Sequence, residues 1–186
     1  MFTIELRRWL RRLSGRKADP SASGEAQDHF DHGNALSEAG HHAEAAEAYA
    51  RATALKPEFA EAHFRLGLAL RDQQKYSAAA TSYRCALKLR PDYVEAHNNL
   101  GAVLQLQGKL SEALASYRSA VELNPDISQP YLNLGRLLEA LGDSRSAARV
   151  YQQAIARGIE PDTFRDLASA LAVPPSGEIA GNNDTR

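Results

Sequence analysis

Between Val94 and Leu104 the apolar and small positions recur at steps of three and four, through His97, Leu100 and Gly101, which is the spacing of one helix face. Gly108 follows, a residue able to take the left-handed conformation with which helices commonly end. A second face then runs from about Leu110 to Leu123 through Ala113, Leu114, Tyr117, Ala120 and Val121. Pro125 has no amide hydrogen and cannot continue that helix. The pattern therefore predicts a helix pair. Gly40 and Gly142 hold the slot of Gly108 elsewhere, and Gln74 holds it once, so the pair is written more than once.

The period is 34 residues, set by Pro57, Pro91 and Pro125, by Tyr49, Tyr83, Tyr117 and Tyr151, and by Gly33, Gly67, Gly101 and Gly135. Alanines repeat with it at Ala45, Ala79, Ala113 and Ala147 and at Ala52, Ala86, Ala120 and Ala154. These columns divide the chain into repeats at 26–59, 60–93, 94–127 and 128–161, and a period of this length is that of a solenoid. Asp92 with Glu95, and Asp126 with Gln129, have the spacing of reciprocal caps and are expected to start the helices after the prolines. Gly and Ala at a helix crossing let two backbones approach, with the tyrosine of the second helix filling the space beside them. A large residue at Gly101 is expected to force the pair apart. One pair buries too little surface to offset its ordering, so neighbouring pairs must stack.

The segments LGLAL…AATSYRCALKLRP and LGAVL…EALASYRSAVELNP resemble tetratricopeptide repeats, and the resemblance runs over all four repeats. It implies an all-α solenoid of antiparallel helix pairs wound into a right-handed superhelix. Departures fall at the ends: His32 stands where Leu is expected, and RGIEP places Pro161 two residues late, so repeats one and four are expected to cap the array. DTFRDLASALAV, residues 162–173, reads as a closing helix, and residues 174–186 as a disordered tail.

The resemblance also implies that the first helices line a concave groove for a peptide, an extended segment or a helix of another protein. Its slots would be Phe30, Asp31 and Asn34 in repeat one, and Phe64, Arg65, Leu68 and Arg71 in repeat two. Repeat three offers Asn98, Asn99, Ala102 and Gln105, and repeat four Leu132, Asn133, Arg136 and Glu139. Asn99 and Asn133 lie one period apart, and an amide that both donates and accepts suits capture of an extended backbone. A similar asparagine ladder lines the repeats of O-linked N-acetylglucosamine transferases, which NNLG and YLNLG resemble locally. Asp31 and Arg65 replace Asn in the earlier copies, leaving two rungs; the alternative is solvated polar residues on a helix face. Repeat proteins that clamp a chaperone's C-terminal carboxylate place Lys and Asn where this chain has Phe30 and Arg65, and cations where it has Glu95 and Asn99. Asn34 alone fits that pattern, so no such clamp is expected.

Candidate chemistry adds little. No phosphate-binding loop, dinucleotide fingerprint, nucleophile elbow or zinc-protease helix is present, and Glu44, Glu47, Glu61 and Glu95 read as solvated charge, so neither an enzyme nor a cofactor is expected. His29, His63 and His97 repeat with the period, and equivalent slots about 10 Å apart cannot share an ion at ~2 Å bonds. Tyr131 takes the fourth slot, so packing is the expected role and no metal site is expected. His41 and His42 fall in a turn, where adjacent side chains diverge. Cys85 is alone, which excludes a disulfide framework, and is expected as a small buried residue.

Charge changes the picture at one place. Residues 1–17, MFTIELRRWLRRLSGRK, hold six cations against one acid, while the whole chain is at −1. On a helix, Phe2, Leu6, Trp9, Leu10 and Leu13 share one face and Arg7, Arg8, Arg11 and Arg12 the other, the profile of an interfacial amphipathic helix. Its apolar run is too short for a secretory signal, and no run reaches the ~18–20 residues of a membrane span. Three roles are open: contact with an anionic membrane surface, docking on its own repeats or on a partner, or an Arg-rich transit or nucleic-acid segment. A nucleic-acid partner is not expected from one short patch. Residues 18–25, within SGRKADPSASGEAQ, read as a linker.

The expected function is a cytoplasmic adaptor, peripheral at the membrane if the N-terminal helix binds there, that holds a protein or peptide partner. Two alternatives remain: a targeting or regulatory subunit of a transferase carried on a separate chain, and a homo-oligomer built through the exposed end of the stack.

Overall fold

Residues 20–171 are described by the computed structural model, and they are helical between short turns. The helices are α1 (Pro20–Glu38), α2 (His42–Leu55), α3 (Ala60–Asp72), α4 (Tyr76–Leu89), α5 (Val94–Leu106), α6 (Leu110–Leu123), α7 (Ser128–Ala140), α8 (Ser144–Ala156) and α9 (Pro161–Ala170). Each packs on its predecessor and its successor. The amphipathic segment 1–17 and the tail 174–186 lie outside the described residues.

One boundary differs from expectation. α1 starts at Pro20, so the linker expected over residues 18–25 is helical from there on. A proline is tolerated in the first helical turn, where its missing N–H would have no partner anyway, and Ala26 is already fully buried.

The helices form two layers. Arg71 of α3 reaches Asn99 of α5, and Asn133 of α7 reaches Asn98 of α5, so the first helices lie side by side. Arg84 of α4 pairs with Glu112 of α6 at 2.7 Å in the layer of second helices. Between the layers the core is built from alanine and tyrosine: Ala45, Ala52, Ala79, Ala86, Ala113, Ala120, Ala147 and Ala154 are fully buried, and Tyr49, Tyr83, Tyr117 and Tyr151 nearly or fully so. Each tyrosine ring packs closely against the glycine of its own first helix. A Cβ on Gly101 would stand 2.6 Å from Tyr117 Cε1.

The turn within each pair has one geometry. Lys109 N–H donates to Leu104 O at 2.9 Å and Gly108 N–H to Gln105 O at 3.0 Å, with Gly108 at φ 73°, the crossed pair of bonds that satisfies the last carbonyls of α5. Gln74 holds the same slot at φ 60° and makes the same bonds, Lys75 N–H to Leu70 O and Gln74 N–H to Arg71 O. It carries the strain that glycine avoids elsewhere.

The reciprocal caps are not formed. α5 begins at Val94 with Tyr93 in the capping position, and α7 at Ser128 with Ile127 there, neither end making a side-chain cap bond. Asp92 and Asp126 therefore stand outside the helix ends they were expected to cap. Among the described helix starts, a side-chain cap forms at α8, where Asp143 accepts from Ser146 N–H at 3.1 Å. The late Pro161 is also explained. The residues before it make the turn that ends α8, with Ile159 N–H on Ala154 O, and Pro161 opens α9 rather than stopping a helix. Phe164 of α9 is fully buried against Tyr151 and Tyr131, at ring distances of 5.8 and 6.3 Å, and closes the stack.

Candidate functional site

Two of the expected groove residues belong to the core instead. Phe30 is 8% exposed and Phe64 7%. Phe30 stacks on Phe59 at 4.8 Å and Phe64 on Tyr93 at 4.6 Å, each neighbour arriving from the entry to the next repeat. The same slot holds Asn98 in α5 and Leu132 in α7, so the face becomes polar where the aromatic pair ends at α5.

Polar side chains on the first helices meet across the repeat boundaries. Arg71 Nη1 donates to Asn99 Oδ1 at 2.9 Å, and Asn99 Nδ2 donates to Glu95 O at 2.8 Å within its own helix. Asn133 Nδ2 donates to Asn98 Oδ1 at 2.9 Å and Asn133 Oδ1 accepts from Gln129 at 2.9 Å. Arg71, Asn99, Asn98 and Asn133 thus form a row over α3, α5 and α7. Asp72 completes it by accepting from Arg71 Nε and Nη2 at 3.0 and 2.8 Å and facing His42 Nδ1 at 3.8 Å.

The remaining expected residues are placed as follows. Asn34 accepts from the Tyr49 hydroxyl at 2.9 Å, Gln105 from Tyr117 at 3.1 Å, and Glu139 from Tyr151. Asp31 accepts from Gln27, and Arg65 donates to Glu61 at 3.1 Å. Leu68 and Leu132 pack against the core, Ala102 is half-buried, and Arg136 is exposed. Removal from water pushes the Tyr117 hydroxyl up to about 12. The Tyr151 hydroxyl is raised by burial and then by its bond to Glu139.

Glu61 was not expected at a site, yet it is shared. It accepts from Tyr93 at 2.5 Å and from Arg90 at 3.5 Å, inside a cleft also walled by Phe64, Arg65 and Glu95. Arg90 lies 3.2 Å over the Tyr93 ring, so the cation is held from both sides. The signal in the sequence was the change from Lys56 and Phe59 to Arg90 and Tyr93 one period on, which adds a hydroxyl and a fork of donors.

His63 and His97, two of the three periodic histidines, have a common task. His63 Nε2 lies 3.0 Å from Pro57 O and His97 Nε2 2.9 Å from Pro91 O, while Tyr131 donates to Pro125 O at 3.2 Å. Each ties a first helix to the proline turn before it. Cys85 is half-buried rather than buried. Among the described residues no helix is long and apolar enough to cross a membrane.

Stacked antiparallel helix pairs with a polar row along the first helices define an α-solenoid. Models of the tetratricopeptide repeat match residues 30–84 and 92–158, a TPR repeat model matches residues 67–108, and the chain belongs to the tetratricopeptide repeat family. No curated protein matches it by sequence. Among solved structures, MamA is similar with a TM-score of 0.70 at 20% identity, over 84% of this chain and 88% of that one. The first repeat domain of Spaghetti (RPAP3), bound to the HSP90 peptide SRMEEVD, is similar with a TM-score of 0.65 at 24% identity, over 69% and 99%. The Arabidopsis OM64 repeat domain follows at 0.62 and 19%, over 64% and 98%. At these identities the likeness is one of fold.

Proposed function

We propose that the chain is a non-catalytic adaptor that holds an extended segment of a partner protein along the face of its first helices. The observation that carries this is the row Arg71, Asn99, Asn98 and Asn133, which presents donors and acceptors at successive repeats. Amides spaced in this way match the alternating N–H and C=O groups of an extended chain. Membership of a repeat family supports the reading, as does the peptide held by the Spaghetti domain on the same fold.

The test is fluorescence polarisation with labelled, degenerate peptides. Replacing Asn99 and Asn133 together by Ala is expected to weaken binding about tenfold, the value of two lost hydrogen bonds. Both side chains are only half-buried, so the melting temperature should move little. A double variant that melts early and binds normally would make these asparagines structural and remove the centre of the reading.

We further propose that the basic N-terminal segment seats the adaptor on an anionic membrane surface. The segregation of Trp9, Leu6, Leu10 and Leu13 from Arg7, Arg8, Arg11 and Arg12 supports it. The full chain is expected to sediment with anionic vesicles and not with neutral ones, and a chain beginning at Pro20 with neither. Equal behaviour of the two chains would return Trp9 and its leucines to a protein contact.

A further inference from the structure

Five large apolar side chains stand exposed among the described residues: Leu55, Leu89, Leu106, Leu123 and Leu141. Three of them form one column. Leu55, Leu89 and Leu123 lie 34 residues apart, each closes a second helix, and they are 36, 40 and 42% exposed. Stacking therefore sets them along one edge of the solenoid, outside the polar row on the first helices. Leu106 and Leu141 lie at the ends of first helices, at the other edge, and fall in different slots of the repeat, so they make no second stripe. The stripe stops at Arg157, which takes the fourth slot, and beside it a cleft of about 500 Å³ opens between Val121, Pro125, Tyr131 and Ala156.

A continuous apolar edge is stabilised by whatever removes it from water, and the chain itself supplies a cover. α1 and α2 are antiparallel, with Tyr49 of one against Gly33 of the other, so α1 starts at the edge where Leu55 closes α2. Counted back from that contact, α1 projects about 10 Å beyond Leu55. Residues 14–19 span up to about 20 Å when extended, enough to return to it. The amphipathic segment therefore joins the repeats beside the first leucine of the stripe.

Its length, spacing and charge fit the edge. Neighbouring repeats lie about 10 Å apart, and residues seven apart on a helix are separated by about the same distance. Leu6 and Leu13 have that spacing, as do Phe2 and Trp9. A helix of residues 1–13 is about 20 Å long, the length of a stripe of three leucines. Glu58, Asp92 and Asp126 repeat in the turns beside the leucines and are exposed, while Lys56 and Arg90 of the same turns lie over Phe59 and Tyr93. A second copy pairing edge to edge would set these acids against each other, whereas the arginines of the segment attract them.

We propose that residues 1–13 dock as a helix along this edge, with Leu13 nearest Leu55 and Phe2 nearest Leu123, as a strap that an anionic surface has to displace. The docking stands without the membrane contact proposed above and competes with it, because both use the face of Leu6, Trp9, Leu10 and Leu13.

Trp9 is the one tryptophan of the chain, so its fluorescence reads the contact in the full chain. Without lipid, its emission is expected to be blue-shifted and protected from acrylamide. Leu89→Gln with Leu123→Gln should shift the emission to the red and remove the protection with helix content unchanged, since both side chains already face water in part. Leu6→Gln with Leu13→Gln should do the same from the other side of the contact, leaving the repeats untouched. Leu106→Gln with Leu141→Gln, at the other edge, should change nothing. An exposed Trp9 in wild type, or protection that survives the changes at Leu89 and Leu123, overturns the docking. Protection that grows with protein concentration, with a doubled mass in light scattering, assigns a second copy and overturns it too. Anionic vesicles then separate the two readings. The variant at Leu89 and Leu123 is expected to bind them at a lower lipid concentration than wild type. Equal binding overturns the competition; binding by neither chain overturns the membrane contact and leaves the docking standing.

Discussion

Gly101→Leu is expected to cost about 3 kcal/mol or more of stability, at the upper end of what overpacking does. Glycine inside α5 is itself a sacrifice, worth about 1 kcal/mol against alanine in helix propensity, and its compensation is the close approach of the Tyr117 ring. A first carbon at this position would already lie 2.6 Å from that ring. The ring cannot step aside, since it is buried and its hydroxyl is held by Gln105. A leucine therefore pushes α6 from α5. Because a solenoid is stabilised by contacts between neighbouring repeats, the damage in repeat three also loosens repeats two and four. Gly101→Ala should fall between wild type and Leu. Gly24→Leu is the control, for nothing lies within 4 Å of its added carbon. Urea midpoints read the series at constant slope; a Gly101→Leu chain that unfolds with wild type would mean that close approach is not what the glycine column provides.

That contact was legible in the sequence because both of its partners repeat with the same period. Gly101 and Tyr117 each belong to a column of four, so their pairing could be inferred before any coordinates. Phe30 and Phe64 were harder. Periodicity places them on the first helices, but whether their slot stays open depends on Phe59 and Tyr93, which come from the turn after the partner helix. The caps failed for a local reason: Asp92 and Glu95 have the right spacing, yet the chain enters α5 one residue after the expected cap, at Tyr93. Pro20 was read with the serines and glycine around it as a linker, although proline is as suited to opening a helix as to preventing one. That the Tyr83 hydroxyl has no partner among the described residues was readable in principle. It required comparing the acceptor slots Asn34, Gln105 and Glu139 with Leu68 and Arg71, a negative signal that patterns of apolar residues do not contain.

The tyrosines that fill the core should also fix an alkaline limit to stability. Burial raises the Tyr83 and Tyr117 hydroxyls from their ordinary 10.0, Tyr117 to about 12 and Tyr83 further. The folded chain therefore keeps protons that the unfolded chain has already given up. Stability is fully present below pH 10 and falls as pH rises towards 12, by about 1.4 kcal/mol per pH unit for each such tyrosine. These two rings alone give a slope of about 2.8 kcal/mol per unit, to which the raised Tyr151 hydroxyl adds, enough to remove most of the margin of a small domain within a few pH units. Denaturant midpoints measured across this range, with phenolate absorbance and helix content followed together, check the expectation. Ionisation and loss of helix should coincide. Tyr83→Phe should flatten the slope by one tyrosine's share while leaving the midpoint below pH 10 unchanged or higher. Phenolates that appear stepwise with the helices intact would show that these rings reach solvent without unfolding, and the tyrosine column would then not be the seal between the two layers.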